Sequence, residues 1–313
     1  MRRVAEKLRK TYFNYIARNV RKTKPVEYEF SNEVVIVSQV YHQAVDMTLL
    51  AIKSFMTNFG KGSVELIDDG SLTEGDYRLF RLHIPKVKII HIDEIDTRKL
   101  PKGSCWERLI RILELSKNAY VIQVDTDTVT MGYIPEVFDH FINNKAFTIG
   151  SPSFPELANL EYIATINNVG KSDHVQSLAE IALSKITSIK LDKYARGCAA
   201  FTGFPKGGCS SEDLDAFSAE MELLLGQKKW TEWGSEQLSS NVMISLCEDA
   251  KILPWPKYQN YKYPVFNSSS NYQNFHGIVS VVHFIGSNRF SDNTYAILAK
   301  RFIHQNSSFK VDL

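Results

Sequence analysis

Between residue 33 and about residue 150, short apolar runs alternate with segments whose apolar residues recur at helical spacing. Val34–Ser38 reads as an apolar strand, and Val45–Phe59 as a helix with Leu49, Ile52, Phe55 and Phe59 on one face. Val64–Ile67 and Val87–Ile92 give a second and third strand. Ser104-Cys105-Trp106-Glu107 has the spacing of a capping box and opens a helix through Leu115. Tyr120–Val124 is the next strand. Strands and helices alternating at this length predict a mixed, mostly parallel sheet flanked by helices, an α/β fold.

After Phe147 the pattern loosens. Residues 173–188 and 213–225 have helical spacing, and Arg196–Gly208, with four glycines and a proline, reads as loop-rich. Trp230–Gly234 leads into a helix carrying Ser235-Glu236-Gln237 near its start. Trp255–Asn274 reads as a long surface loop, and Ile278–Phe284 as a strand with His283 near its end. No repeats occur, and one α/β domain with a less regular second half accounts for the pattern better than two domains.

The first 24 residues stand apart. Val4, Leu8, Tyr12, Tyr15, Ile16 and Val20 fall on one helical stripe within residues 2–22, with basic residues around it. Either an interfacial helix lying on an anionic membrane or a helix packing on protein fits this pattern. Nine Lys/Arg against one Glu give residues 1–24 a net charge of +8, which leaves about −6 on the rest of a chain whose total is +2. The body is therefore not a nucleic-acid-binding surface. Cys105, Cys198, Cys209 and Cys247 form no C-x-x-C pair and are read as reduced thiols. With no secretory signal and no apolar run long enough to span a bilayer, a cytoplasmic protein, peripheral at the inner membrane face, is expected. The sequons at Asn267 and Asn306 are then coincidental.

The chemistry centres on Asp125-Thr126-Asp127, where an apolar run long enough for a buried strand ends in two carboxylates one residue apart. Residues so spaced face the same way on a strand and can converge on one hard cation. Asp213-Leu214-Asp215 has the same spacing but lies at a polar helix start, where capping explains it. No G-x-G-x-x-G fingerprint and no P-loop accompany these residues.

The pattern resembles a GT-A-fold glycosyltransferase, closest to the glycogenin and lipopolysaccharide galactosyltransferase type. In that group a D-x-D motif holds a divalent ion against the diphosphate of a nucleotide sugar, and the catalytic domain ends in His-aromatic-x-Gly-x-x-Lys-Pro-Trp. This chain has His283-Phe284-Ile285-Gly286-Ser287-Asn288-Arg289-Phe290, without the Pro-Trp ending. The resemblance covers about residues 33–290. It implies a single GT-A domain with a nucleotide-sugar-binding half (33–150) and an acceptor-side half (151–290), between the basic helix (1–24) and a C-terminal tail (291–313).

The resemblance also implies a metal site of Asp125, Asp127 and His283 for Mn2+ or Mg2+. Gly286 would let a backbone N–H approach phosphate, and Arg289 would offer it a forked donor. Arg108, 17 residues before Asp125, is the expected donor-contacting base, with Arg111 as competitor. Ser38, Gln39 and Thr126 are expected around the donor, with Asp68 or Asp69 at the nucleoside; a type I turn explains the two acids equally well. Glu236 and Gln237 are the expected catalytic pair, as general base or as stabilisers of the developing positive charge, and Gly203 would line the sugar pocket. His83, His91 and His276 are assigned nothing. A UDP-hexose donor and a glycan or lipid-linked acceptor follow. The rivals are a sugar-phosphate nucleotidyltransferase, whose glycine-rich loop is absent at Val40-Tyr41-His42-Gln43, and a non-catalytic nucleotide- or glycan-binding protein.

Overall fold

The computed structural model describes residues 2–170, 172–262 and 277–307. The sequon at Asn267, His276, residues 263–274 of the expected loop, Ser308 and the end of the expected tail lie outside them. The chain opens with α1 (Arg2–Ala17), a 3-10 turn, β1 (Glu29–Val40), α2 (Val45–Phe59), β2 (Lys61–Asp68), α3 (Glu74–His83) and β3 (Lys88–His91). It continues through α4 (Trp106–Ser116), β4 (Tyr120–Val124), β5 (Thr128–Thr130), α5 (Pro135–Ile142), β6 (Phe147–Ile149) and β7 (Ala158–Asn159). Then follow α6 (Leu160–Gly170), α7 (Val175–Ala182), β8 (Lys193–Tyr194), β9 (Cys198–Phe204), α8 (Ser211–Leu225), α9 (Gln227–Trp230) and α10 (Ser235–Leu246). The described residues end with β10 (Lys251–Leu253), β11 (Tyr258–Asn260), β12 (Val281–His283) and α11 (Thr294–Asn306).

The main sheet has seven strands in the order β10-β6-β9-β4-β1-β2-β3. All its pairs are parallel except the two made by β9, which runs antiparallel between β4 and β6. Alternate residues of the central strands serve two cores. Val34, Ile36, Tyr120 and Ile122 pack on one face, and Val35, Val37 and Val121 on the other. That double coverage is why these strands read as continuous apolar runs. A smaller sheet, β11-β12-β5, brings β12 antiparallel to β5, with His283 opposite Thr128.

Several expectations are corrected. Residues 198–204, expected as loop, form β9 inside the sheet. Residues 258–260, expected as surface loop, form buried β11, and α6 was not anticipated. The capping box at Ser104 is not formed. Ser104 and Cys105 both have left-handed φ (49° and 71°), the helix starts at Trp106, and Glu107 accepts instead from the Gly103 N–H at 2.7 Å.

The termini are also different from expectation. The expected tail contains α11, whose Tyr295, Leu298, Ala299 and Phe302 are buried in the core. Helix α1 packs on the body through Phe13 and Ala17; of the expected stripe, Ile16 and, in the 3-10 turn that follows, Val20 also pack on the core, while Val4, Leu8, Tyr12 and Tyr15 stay exposed. Phe13 stacks on Tyr295 at 4.0 Å between ring centroids. Behind α1, the buried Lys53 ammonium of α2 donates to Thr23 and, at 2.6 Å, to the Lys24 carbonyl, anchoring the segment that leaves the helix. No helix among the described residues is long and apolar enough to cross a membrane.

Candidate functional site

Strand β4 delivers Asp125 at the carboxyl edge of the sheet, where open α/β sheets place their ligands. The turn that follows is tight. The Thr128 N–H and hydroxyl both donate to the Asp125 carbonyl, at 3.1 and 2.8 Å, and the Asp125 N–H donates to the Ala200 carbonyl of β9 at 2.8 Å. The Phe284 N–H donates to the Asp127 carbonyl at 2.9 Å, so the end of β12 is locked beside the same turn. These contacts bring together residues more than 150 positions apart. One ligand atom from each of Asp125, Asp127 and His283 lies within 4.8 Å of the others. Two carboxylate oxygens and an imidazole nitrogen suit Mn2+ or Mg2+.

The surroundings fit such an ion. His283 Nδ1 donates to Asn260 Oδ1 at 2.6 Å, which leaves Nε2 facing Asp127 Oδ1 at 3.3 Å. This is the outer hydrogen bond that orients a metal-ligating histidine. Burial alone would depress the imidazole pKa, but the Asp127 carboxylate outweighs it and holds it well above the ordinary value. Burial likewise opposes ionisation of Asp127, yet His283 and Arg289 keep its pKa low. The cations beside the two carboxylates thus stand where a divalent ion would compete for them.

Arg289 pairs with Asp127 Oδ2 and donates through Nε to the Phe284 carbonyl at 3.1 Å. Arg108, buried on the first turn of α4, donates to Asp125 Oδ1 at 2.6 Å and to Glu236 Oε1 at 3.2 Å. Its Nε has no partner among the described residues. Arg111, the competitor, is engaged elsewhere, in a two-pronged pair with Glu65 at 2.6 and 3.1 Å. Glu236 is pushed up to about 7, first by burial, with Arg108 opposing and Asp125 reinforcing the shift. Gln237 donates to Gln176 Oε1 at 3.2 Å and accepts a long contact from the Cys198 thiol at 3.8 Å.

These groups line a cavity of about 200 Å³ that includes Asp125, Asp127, His283, Arg108, Glu236, Gln237, Gly286 and Arg289. Cys198, Trp233, Gln237 and Ile285 border it and also a second cavity of about 450 Å³, walled by Phe154, His174, Gln176 and Arg196. Trp233 is 70% exposed, and its ring meets His174 edge-on at 6.1 Å. Asn260, Cys198 and Gln176 were not anticipated. Asn260 lies in a segment that reads as loop, and Cys198 opens a strand hidden by small residues.

Other expected site residues lie elsewhere. Thr126 is buried in the turn between the two aspartates and does not line the cavity. Ser38 and Gln39 lie near the end of β1, each with a buried side-chain oxygen that has no partner among the described residues. The Asp68 carboxylate is buried and committed to its own turn, accepting from the Gly70 and Leu72 N–H groups and, at 2.6 Å, from the Tyr77 hydroxyl. It lines neither of these cavities. Asp69 is exposed and accepts from the Ser71 hydroxyl at 2.5 Å. Gly203, expected at a sugar pocket, lines neither cavity. It sits inside β9 where an added Cβ would lie 2.3 Å from the Phe147 ring and 2.4 Å from the Tyr120 oxygen, so it is a packing glycine.

No family model and no curated protein matches this sequence. Solved structures do. The chain is similar to the bifunctional glycosyltransferase WbbM in its apo form, with 16% identity over 91% of this chain and a TM-score of 0.53. It spans about half the length of that protein (53%). It is also similar to the galactosyltransferase LgtC in complex with donor and acceptor sugar analogues, with 11% identity over 85% of this chain and 95% of LgtC and a TM-score of 0.51. At such identities the likeness is one of backbone architecture, and in that architecture the chain has the GT-A fold, similar to the LgtC type.

Proposed function

We propose that the chain is a metal-dependent glycosyltransferase, moving a hexose from a nucleotide diphosphate, UDP by preference, to a glycan or lipid-linked acceptor. The observation that carries this reading is the convergence of Asp125, Asp127 and His283 on one point, with Arg108 and Arg289 bonded to the same carboxylates. A Mn2+ or Mg2+ ion held by the three side chains would supply Lewis-acid neutralisation of the departing diphosphate. Arg289 and the Gly286 backbone, at the rim of the same cavity, are placed to share that charge. Arg108 acts one step back, orienting Asp125 and Glu236 together.

Gln237 borders both cavities and marks the junction of donor sugar and acceptor. Glu236 is held behind it by Arg108 and is poised, with its pKa near 7, to exchange a proton. The exposed Trp233 indole offers the larger cavity an apolar face of the kind a sugar ring packs on. Asp127→Ala is expected to abolish turnover and Mn2+-dependent UDP binding together, read by calorimetry and by UDP release. Full activity in that variant would sink the proposal.

Val4, Leu8 and Tyr12 stay exposed on α1 beside Arg3 and Lys7, which keeps an anionic bilayer as a partner for this helix. Co-sedimentation with anionic vesicles at low salt is the expected result, and a chain left wholly in the supernatant would contradict it.

A further inference from the structure

A third cavity, of about 580 Å³, lies between α1 and the turn that joins β1 to α2. One wall carries Lys10, Asn14 and Tyr15 of α1 with Arg18 at the start of the 3-10 turn that follows, and the facing wall carries Tyr41, His42 and Gln43. Arg289 lines this cavity and the one holding the three candidate metal ligands, so a single guanidinium is the boundary between them. The volume falls in the range of small-molecule pockets. It opens beyond the carboxyl end of β1, on the side of the sheet where open α/β folds bind ligands.

The charge of this cavity is incompletely balanced. Arg21 is neutralised by Asp46, at 2.5 and 3.1 Å. Lys10 and Arg18 have no carboxylate partner among the described residues. They are not free to wander as a loose basic arm would, because α1 is fixed in register. Phe13 lies 5.6 Å from the Phe290 ring and stacks on Tyr295, and Arg9 donates to the Ser291 carbonyl at 2.6 Å. Phe290 follows Arg289 directly, so the contact that docks α1 also sets its distance from the metal-side cavity.

We propose that α1 is a structural wall of the donor cleft, with Lys10, Asn14 and Arg18 contacting the nucleoside end of a nucleotide sugar whose diphosphate passes Arg289 to reach Asp125, Asp127 and His283. The proposal rests on the glycosyltransferase reading above. Lys, Arg and Asn supply donors for ribose hydroxyls and for the carbonyl edge of a pyrimidine, and Tyr15 and Tyr41 supply ring faces for the base. The basic N-terminal segment thereby acquires a role in the reaction besides any membrane contact: Lys10 and Asn14 are turned away from Leu8 and Tyr12 on α1, while Tyr15 lies at the border of the exposed stripe.

The test uses Lys10→Ala/Arg18→Ala in the full chain, with Lys22→Ala/Lys300→Ala as a control of equal charge change outside the cleft. Both pairs are exposed, so neither substitution touches the core. Calorimetry with Mn2+ present gives the Kd for UDP and for inorganic pyrophosphate, which lacks the nucleoside. The expected result is about a tenfold weaker Kd for UDP in the cleft variant, less than a twofold change for pyrophosphate, and no change for either ligand in the control. An unchanged UDP affinity in the cleft variant would overturn the proposal alone. Equal losses for UDP and pyrophosphate would overturn it too, since the cations would then act through the general field. Failure of the unsubstituted chain to bind UDP with Mn2+ would overturn the donor reading and this proposal with it.

Discussion

Arg108 donates to Asp125 through one terminal nitrogen and to Glu236 through the other, so two carboxylates depend on one buried cation. Removing a partner from such a set costs more than the pair itself contributes, because a buried charge is left uncompensated. Arg108→Met is therefore expected to lose about 3 kcal/mol of stability by urea denaturation, and adding Glu236→Gln should recover part of that loss. Glu236 also gives a pH signature. Its pKa is raised by burial from 4.5 to about 7, so between those values the folded chain binds more protons than the unfolded one, and this group's contribution to stability falls as pH rises through that window. Metal-free Tm measured from pH 4.5 to 7 should show a steeper decline in the wild type than in Glu236→Gln, and parallel curves would contradict the assignment.

At this scale Asp125, Asp127, His283 and Arg289 were legible because their types and spacings are tied to a ligand chemistry. Asn260 and Cys198 were not, because an amide and a thiol gain meaning only from the strands that bring them to His283.

Among the elements, β9 and α1 differ most from expectation. The run Cys198–Phe204 is rich in small residues, which resembles a loop in sequence. In the sheet the same residues leave room for Phe147 and Tyr120 to pack over the strand. Gly203→Ala should thus cost about 1–3 kcal/mol through overpacking while leaving the Kd for UDP unchanged, and a loss of UDP affinity without a loss of stability would restore the sugar-pocket role. The helix of residues 2–17 was visible, but its buried face only in part: Ile16 and the following Val20 pack on the core as the stripe implies, Phe13 and Ala17 lie off that stripe. Two apolar faces compete on α1, and the choice of Phe13 and Ala17 depends on α11, whose aromatic Tyr295 receives Phe13. By contrast, β4 and α2 have the ends the sequence pattern predicts, since strands covered on both faces and helices between them leave strong periodic signals.

On the scale of the whole molecule, a parallel sheet collects its strand ends on one edge, and the smaller sheet turns β12 back to that edge antiparallel to β5. Three cavities meet there, with Arg289 joining the first to the cleft under α1 and Gln237 joining it to the larger cavity beside Trp233. In the reading we propose, nucleoside, diphosphate and sugar with acceptor would follow one another along this edge. The alternating pattern predicted the sheet; the line of cavities is a tertiary product of segments far apart in the chain. The most direct test is the release of UDP from a panel of UDP-hexoses incubated with the 313-residue chain, with Mn2+ or with chelator. Slow release from at least one donor with Mn2+, lost in chelator and in Asp127→Ala, is the predicted result. Absence of release from every donor, or release that persists undiminished in chelator, would contradict the account.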